Sequence, residues 1–172
     1  MALMPVAEAL ARVLADAEPL AAEAVPLAQA HGRVLAADVA ALRTQPPADV
    51  SAMDGYAVRS ADVVQAPVKL RLVGEVAAGH PFRGAVGPGA AARIFTGGVL
   101  PPGTDTIVIQ ENTVREGDAV VITAASGKGK HVRVEGLDFK CGAVLLTKGR
   151  RLSDRDLALA AAMNHPTVRV HR

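Results

Sequence analysis

The sequence predicts an α+β fold with two lobes, and two observations support this prediction. Helix-like periodicity occurs only near the two ends of the 172-residue chain, whereas the middle contains short strand-like runs separated by Gly and Pro. Strands at such close intervals, with no helix between them, are typical of a compact all-β unit. We therefore predict a small α/β lobe formed by residues 1–46 and 131–172, into which a β-rich lobe of residues 47–130 is inserted.

The first segment predicts a helix over residues 5–17. Apolar residues recur there every three or four positions, and Pro5 suits the first turn of a helix. Val25–Ala30 predicts a shorter helical turn that ends near Gly32. Residues 33–41 then predict a strand.

The middle of the chain predicts strands after a proline-rich boundary. Thr44–Asp49 contains two consecutive prolines, which fit neither a helix interior nor a central strand. Beyond this loop, apolar and charged residues alternate along residues 68–72, as is typical of a half-buried strand. Residues 91–95 and 106–109 predict further strands, and residues 114–122 predict a hairpin.

The last segment predicts two strands and one helix. Residues 142–146 and 167–171 form the strands. Ser153, followed three positions later by Asp156, matches the capping box that begins a helix. Because residues 157–163 are apolar nearly all round, we expect this helix to be buried.

The composition argues against several classes of function. Only 2% of the residues are aromatic and the formal net charge is +2, so the chain has few rings on which single-stranded nucleic acid could stack. No apolar run approaches the ~18 residues that a membrane helix needs. The single cysteine, Cys141, indicates a reducing compartment. We therefore expect a cytoplasmic protein with neither a nucleic-acid nor a membrane partner.

Common binding and catalytic motifs do not occur in the sequence. The five histidines show no spacing typical of a zinc site. The Gly-Lys pairs of residues 127–130 lack the upstream Gly and the following Ser or Thr of a P-loop, so a solvated turn is the better interpretation. No serine occupies a G-x-S-x-G elbow, so a hydrolase has no motif in support.

The segment Ser51–Val58 contains the strongest candidate for a functional side chain. Asp54-Gly55 is a typical tight-turn pair, in which we expect Gly55 to adopt a positive φ. A carboxylate on a sharp turn is held rigidly near solvent, where it can serve as an acid, a metal ligand or an anchor for a substrate hydroxyl. The alternative is that Asp54 only stabilises the turn.

Two further loops carry candidate groups. Thr96-Gly97-Gly98 follows a predicted strand, and backbone N–H groups of glycine loops can form a cradle for an anion. The alternative is an ordinary turn between strands. Asp138 places another carboxylate in a glycine-containing turn.

The chain resembles the N-terminal half of the MoeA/gephyrin E-domain family of molybdopterin molybdenumtransferases. The resemblance rests on four segments in the family's order: Ser51–Val58, Arg93–Gly98, Ile107–Glu111 and Gly136–Asp138. Residues 31–36 and 142–152 fit as well, so the resemblance runs from about residue 5 to the end. The S-A-M-D-G-Y-A motif of the first segment is highly specific for this family.

The resemblance implies an enzyme that inserts molybdenum from molybdate into adenylylated molybdopterin, with release of AMP and with help from Mg²⁺. It also implies an elongated homodimer. In such a dimer the active site is similar to a cleft between the β-rich domain of one subunit and a molybdopterin-binding α/β domain of the other.

The matched positions imply which residues form the site. Asp54 corresponds to the motif carboxylate in the cleft and is the candidate Mg²⁺ ligand. Thr96 and Asp138 correspond to positions that line or support the cleft, and we expect all three residues to be catalytic. The other matched residues are candidates for substrate binding: Ser51, Met53, Gly55, Tyr56, Gly97 and Gly98.

The chain also departs from the family pattern. Many members have an Arg-Gly-Glu-Asp-like run where this chain has Glu135 to Asp138, so Glu135 and Leu137 alter the local substrate contacts. The sequence stops at Arg172, where family members continue into the molybdopterin-binding domain, and we therefore expect the isolated chain to be inactive. The alternative is a non-catalytic dimerisation or scaffold module of the same fold.

Overall fold

A computed structural model describes residues 4–172, and most of its regular structure is sheet. The described residues form two helices, α1 (Val6–Leu14) and α2 (Asp154–Ala162), and twelve strands. The strands in chain order are β1 (Ala22–Pro26), β2 (Val39–Ala40), β3 (Val50–Ser51), β4 (Gly55–Val58), β5 (Val68–Val76), β6 (Ala90–Ile94), β7 (Thr106–Ile109), β8 (Thr113–Glu116), β9 (Ala119–Ile122), β10 (Val132–Arg133), β11 (Val144–Leu146) and β12 (Thr167–His171). Within this part of the chain, neither helix has the length and apolarity that crossing a membrane requires. The more detailed description as an elongated α+β protein stays a prediction.

The described residues divide into two compact units. The first comprises the described residues up to Leu42 together with Cys141–Arg172, and the second comprises Arg43–Lys140. The predicted boundaries instead assigned residues 43–46 and 131–140 to the first unit.

Non-local backbone pairing explains why the second unit is longer than predicted. Gln45 and Phe139 form an isolated antiparallel bridge, and the Gln45 N–H donates to the Phe139 carbonyl at 2.9 Å. Strand β10 pairs antiparallel with β3. These pairs join the two ends of the inserted segment to each other, and a local sequence pattern carries no information about such pairing.

The first unit contains two small antiparallel sheets. Strand β1 pairs with β12 along its full length, and β2 pairs with β11. The helical turn predicted for Val25–Ala30 is therefore wrong in its first part, because Val25 and Pro26 complete β1 and only Leu27–Gln29 forms a 3-10 turn. Pairing with a strand more than 140 positions away overrides the local helical signal.

Helix α1 is shorter than predicted, and its apolar face is exposed. It begins after Pro5 and ends at Leu14 instead of residue 17. None of its residues is buried among the described residues, and Val6 and Val13 are 85% and 75% exposed. The periodicity therefore predicted the helix correctly but did not reveal whether another element covers its apolar side.

Helix α2 confirms the predicted capping box. Ser153 is the N-cap, its side chain accepts from the Asp156 N–H, and the Asp156 carboxylate accepts from the Ser153 N–H. The prediction of a buried helix is wrong, since only Asp156 and Ala160 are buried within α2. A helix rich in alanine is apolar without being enclosed, because alanine is tolerated at exposed positions.

The second unit is built on a six-stranded mixed sheet with the order β7-β4-β6-β5-β9-β8. Strands β5 and β6 are parallel, and the other neighbours are antiparallel. The predicted hairpin over residues 114–122 is confirmed as β8 and β9, and the predicted strand over residues 106–109 is β7. The strand predicted at residues 68–72 continues to Val76.

Apolar side chains cover both faces of this sheet. One face includes Val58, Leu70 and Ile122, and the other includes Ala57 and Ile107. Strand β4 lies between β6 and β7 and is buried at every position. The residues directly before β4 are therefore attached to one of the most enclosed strands of the unit, and these residues carry the candidate carboxylate.

Candidate functional site

The structure brings Asp54 and Thr96 together, although 42 positions separate them in the sequence. Both the backbone N–H and the side-chain hydroxyl of Thr96 donate to Oδ1 of Asp54, each at 2.8 Å. Asp54 precedes β4, and Thr96 follows the neighbouring strand β6, so antiparallel pairing of these strands places the two loops side by side. Because both bonds end on Oδ1, Thr96 leaves Oδ2 of Asp54 for another partner.

Ser51 connects the two loops through its backbone and braces the bend through its side chain. Its N–H donates to the Gly98 carbonyl, and its carbonyl accepts from the Gly97 N–H, both at 2.9 Å. Its hydroxyl is buried and donates to the Met53 carbonyl at 2.6 Å. Ser51 was a candidate for substrate binding, and these contacts give it a supporting position instead.

Gly55 does not adopt the positive φ that the tight-turn interpretation required. It is the first residue of β4 and faces Ile109 of β7 across the ladder. A Cβ atom at this position would lie 2.1 Å from the Val108 carbonyl oxygen. The prediction of a turn glycine is therefore wrong, and glycine is needed because the β7 backbone approaches too closely for any side chain.

The glycines of the Thr96 loop serve a different purpose from the predicted anion cradle. The N–H groups of Thr96, Gly97 and Gly98 already donate to Asp54, Ser51 and Phe95. The cradle is therefore not formed in this conformation. Gly97 has a φ of +81°, and a Cβ atom on Gly98 would lie 3.0 Å from the Phe95 carbonyl oxygen.

Met53 and Tyr56, two further candidates for substrate binding, occupy opposite environments. The Met53 side chain is 41% exposed on the bend and is accessible to a ligand. Tyr56 is 5% exposed and belongs to the apolar cluster on one face of the sheet. A substrate role for Tyr56 stays a prediction, and its observed contacts are with the protein interior.

Sequence reasoning missed Arg93, which lies opposite Tyr56 in the pairing of β4 with β6. Its guanidinium carbon lies 5.2 Å from the Tyr56 ring centroid and 4.9 Å from that of Phe95. Its Nη1 donates to the Gly55 carbonyl at 3.3 Å, and its Nη2 donates to Oε1 of Gln110 at 2.8 Å. The sequence offered one signal for this residue: Arg93 is the only charged residue of the apolar strand β6, and an aromatic residue, Phe95, lies two positions further along the chain.

The Asp54 carboxyl group is held in its ionised form. The hydrogen bond from the Thr96 backbone N–H, followed by that from the Thr96 hydroxyl, lowers its pKa below the ordinary value of an aspartic acid. Partial burial opposes this lowering, and the positive charge of Arg93 adds to it. At neutral pH Asp54 therefore acts as an acceptor or a cation ligand, and it has no proton to donate as a general acid.

Asp54 is the only candidate metal ligand of the sequence prediction, so the surroundings of its carboxylate matter. The described part of the chain contains no cluster of three or more His, Cys, Asp or Glu side chains able to hold a metal ion. A single carboxylate suits Mg²⁺, which is commonly bound by one or two carboxylates together with waters and substrate phosphates. The Asp54 carboxylate is thus of a type that Mg²⁺ accepts, and Mg²⁺ binding by this residue stays a prediction.

Asp138 lies beside a different part of the Thr96 loop. It borders a cleft of about 360 Å³ in the second unit, which is lined by Gln45, Pro46, Pro47, Val50, Gly97, Val99, Arg133, Leu137 and Asp138. The backbone N–H of Asp138 donates to the Gln45 carbonyl at 3.0 Å. Gly97 is common to this cleft and to the loop that holds Asp54. Sequence reasoning missed Arg133, an exposed cation in the lining of the same cleft.

Comparison with known proteins identifies what this arrangement is similar to. A family model described as the MoeA N-terminal region, domains I and II, matches residues 4–164. A molybdopterin molybdenumtransferase of Nostoc sp. is 42% identical over 154 residues, which are 87% of this chain and 35% of the relative. One from Synechococcus elongatus is 43% identical over 150 residues, which are 84% of this chain and 37% of the relative.

Solved structures agree with these sequence relatives. The crystal structure of a molybdopterin biosynthesis MoeA protein from Pyrococcus horikoshii OT3 superposes with a TM-score of 0.84 and 37% identity. The match covers 98% of this chain and 45% of that chain. Our chain spans about a third of the length of the two curated relatives. The family match extends over most of the chain, and the chain belongs to the MoeA family, of which it represents the N-terminal region.

Proposed function

We propose that the chain is the N-terminal part of a molybdopterin molybdenumtransferase, which acts in molybdenum cofactor biosynthesis. Such an enzyme inserts molybdenum from molybdate into adenylylated molybdopterin. The observation that carries the proposal is the pair of hydrogen bonds from Thr96 to Oδ1 of Asp54, which join the two most specific motifs of the sequence. The names of the curated relatives support the reaction class.

Asp54 is proposed as the central ligand of the site. Its lowered pKa keeps it ionised, and both hydrogen bonds from Thr96 end on Oδ1, so that neither occupies Oδ2. A Mg²⁺ ion held by this oxygen and by substrate phosphate oxygens would neutralise negative charge between the carboxylate and the anionic substrates. Thr96 fixes the carboxylate in one orientation, so that little reorganisation is needed when the ligand binds.

The cleft next to Gly97 is proposed to receive the pterin phosphate. Its walls combine apolar groups, such as Val50 and Val99, with the side chains of Arg133 and Asp138. An arginine can bind phosphate through two parallel hydrogen bonds, and apolar walls can pack against a flat ring. Leu137 is 58% exposed at the rim and takes the place of the acidic residue found there in many family members.

The site is proposed to be incomplete in the isolated chain. The chain spans 35% and 37% of its curated relatives, and the resemblance implies that a molybdopterin-binding domain of a second subunit completes the cleft. We therefore propose an elongated cytoplasmic homodimer for the complete enzyme, with no nucleic-acid or membrane partner. The isolated chain is expected to be inactive.

Molybdate-dependent insertion into adenylylated molybdopterin tests the proposal. The assay compares this chain with an extended protein, in which the chain is joined to the C-terminal region of the Nostoc relative. We expect turnover only from the extended protein, and at least tenfold less turnover after Asp54→Asn, since a ligand carboxylate is lost. Asp118→Asn is the matched control, because Asp118 is exposed at the tip of the β8–β9 hairpin.

A scaffold module of the same fold is the second candidate. The replacement of family residues at Glu135 and Leu137 favours it, because a module without a substrate has no need of those contacts. Full activity of the extended protein carrying Asp54→Asn would contradict the role of Asp54, whereas a folded extended protein without any turnover would favour the scaffold. Turnover by the isolated chain would contradict only the requirement for a second domain.

A further inference from the structure

Arg93 occupies a position from which it can control the geometry of Asp54. It lies on β6, three positions before Thr96, and its half-buried side chain lies over the first residues of β4. Neither the composition nor the motif assignment gave this residue a role. The groups that its guanidinium binds connect it to the carboxylate of Asp54.

The guanidinium bonds to the residue that follows Asp54 and to the side chain of a residue whose backbone contacts Asp54. Its Nη1 donates to the carbonyl of Gly55, the next residue in the chain, at 3.3 Å. Its Nη2 donates at 2.8 Å to the side chain of Gln110, and the Gln110 backbone N–H donates to the Asp54 carbonyl at 3.1 Å. The fork of one arginine thus bonds directly to the Gly55 carbonyl and is connected to the Asp54 carbonyl through Gln110.

Two aromatic rings lie within cation–π distance of the guanidinium. Its central carbon lies about equally far from the Tyr56 and Phe95 ring centroids, at 5.2 Å and 4.9 Å. Cation–π contacts of this kind contribute about 0.5–1 kcal/mol each at partly exposed sites. Tyr56 is itself fixed by its burial in the sheet. The arginine therefore has little freedom to leave the two acceptors.

We propose that Arg93 is a positioning residue, which holds Asp54 in the orientation that receives both hydrogen bonds from Thr96. The guanidinium fork, and not the positive charge alone, provides this function. Arg93 acts through Asp54 and has no predicted contact with a substrate. The catalytic consequence of this inference rests on the proposed function, whereas the structural coupling between Arg93 and the Asp54–Thr96 pair does not.

Amide hydrogen exchange in this chain tests the coupling directly. We expect Arg93→Met to accelerate exchange of the Thr96 amide about tenfold, because its charge-assisted hydrogen bond to Asp54 weakens. Arg93→Lys should accelerate exchange similarly, since lysine keeps the charge but cannot form the fork. Arg71→Met is the matched control, because Arg71 is an exposed arginine on β5 of the same sheet.

A milder variant keeps the test valid if Arg93→Met does not fold. Gln110 is exposed, and Gln110→Ala removes only one acceptor of the fork. We expect a smaller acceleration at Thr96 and unchanged exchange in the distant β8–β9 hairpin. Three outcomes would each overturn the proposal. Thr96 exchange could be unchanged in all Arg93 and Gln110 variants, or Arg71→Met could accelerate it equally. Arg93→Lys could also retain the slow exchange of the unchanged chain.

A double-mutant cycle in the extended protein tests the catalytic consequence. Arg93→Met should reduce turnover at least fivefold when Asp54 is present and should have no further effect beside Asp54→Asn, because its action passes through that carboxylate. Equal effects in both backgrounds would overturn the positioning role. If Asp54→Asn alone left turnover intact, the proposed role of Asp54 in that function would fail, and the exchange experiment would still decide whether Arg93 holds Asp54.

Discussion

The buried carboxylate of Asp156 allows a quantitative prediction for the stability of the first unit. Its Oδ2 accepts from the Ser153 backbone N–H at 2.9 Å and from the Ser153 hydroxyl at 2.7 Å. Its Oδ1 accepts from Nε of Arg150 at 2.9 Å. These contacts, with the Ser153 bonds as the largest contribution, outweigh the effect of burial and lower the pKa of Asp156 from 3.8 to about 2.

The lowered pKa determines how much stability the charge provides and at which pH it is lost. A shift from 3.8 to about 2 corresponds to about 2–3 kcal/mol, since one pKa unit is equivalent to about 1.4 kcal/mol. Because the pKa of Asp156 is lower in the folded state, this stabilisation is fully present above pH 3.8. It decreases as the pH falls from 3.8 to about 2, where the folded state also takes up the proton.

The assay is urea unfolding of Asp156→Asn and of the unchanged chain between pH 7 and pH 3. The helical circular-dichroism signal is a suitable probe, because both α-helices lie in the first unit. We expect a loss of about 2–3 kcal/mol at pH 7 that shrinks towards pH 3. Asp154→Asn is the matched control, since its side chain is 91% exposed, and it should change stability by less than about 0.5 kcal/mol.

Two results would refute this reasoning. If the loss caused by Asp156→Asn were the same at pH 3 as at pH 7, the effect would come from packing and not from the ionised carboxylate. If Asp154→Asn destabilised the unit equally, the effect would come from the attraction between any negative charge and the N-terminal end of the helix dipole.

Three further predictions concern the Asp54 loop. Gly55→Ala should destabilise the second unit by about 3 kcal/mol in urea unfolding, because the added Cβ would lie 2.1 Å from the Val108 carbonyl oxygen. A loss below about 1 kcal/mol would contradict this close approach. Gly97→Ala should cost only about 1 kcal/mol in the same assay, since its φ of +81° is strained for alanine but only one atom lies within 4 Å. Thr96→Val should raise the pKa of Asp54, because it removes the hydroxyl hydrogen bond, and a carboxyl-carbon NMR titration measures this change. As the pH falls, the stability that the ionised carboxylate provides is then lost at a higher pH. An unchanged pKa would contradict the assignment of this bond.

Elements with a strong local signal could be predicted from the sequence. Residues 114–122 contain β-branched residues on both sides of a polar glycine-containing turn, and they form most of the β8–β9 hairpin. Ser153 and Asp156 lie three positions apart and form the reciprocal bonds of a capping box. In both cases the interacting groups are neighbours in the sequence, so the pattern contains nearly all of the relevant physics.

Features that depend on distant segments could not be predicted in this way. Gly55 looked like a turn residue, because the sequence does not reveal that β7 passes within contact distance of it. The parallel pairing of β5 with β6 and the bridge between Gln45 and Phe139 likewise join segments without any complementary local pattern. Tertiary contacts decide these features, and they also determine the close neighbours of Asp54.

The candidate site shows the same division between local and distant information. The motif resemblance identified Asp54 and Thr96 as members of one site, and the structure joins them by two hydrogen bonds. The resemblance gave no role to Arg93. That role depends on a hydrogen bond to Gln110, which directly follows β7. A residue that supports a site through neighbours on several strands leaves no compact motif in the sequence.

The hydroxyl of Thr96 distinguishes an active-site loop from a loop that has only a structural role. The backbone N–H of residue 96 would connect the loop to Asp54 whatever side chain were present, so a scaffold requires only that bond. The Thr96 hydroxyl adds a second hydrogen bond to Oδ1 of Asp54. Because Thr96 is exposed, we expect this bond to stabilise the fold by only about 1 kcal/mol. Its main physical effect is on the orientation and charge of Asp54. Thr96→Val in the extended protein should therefore lower turnover much more than it lowers stability, and an equal loss of both would show that the Thr96 hydroxyl has only a structural role.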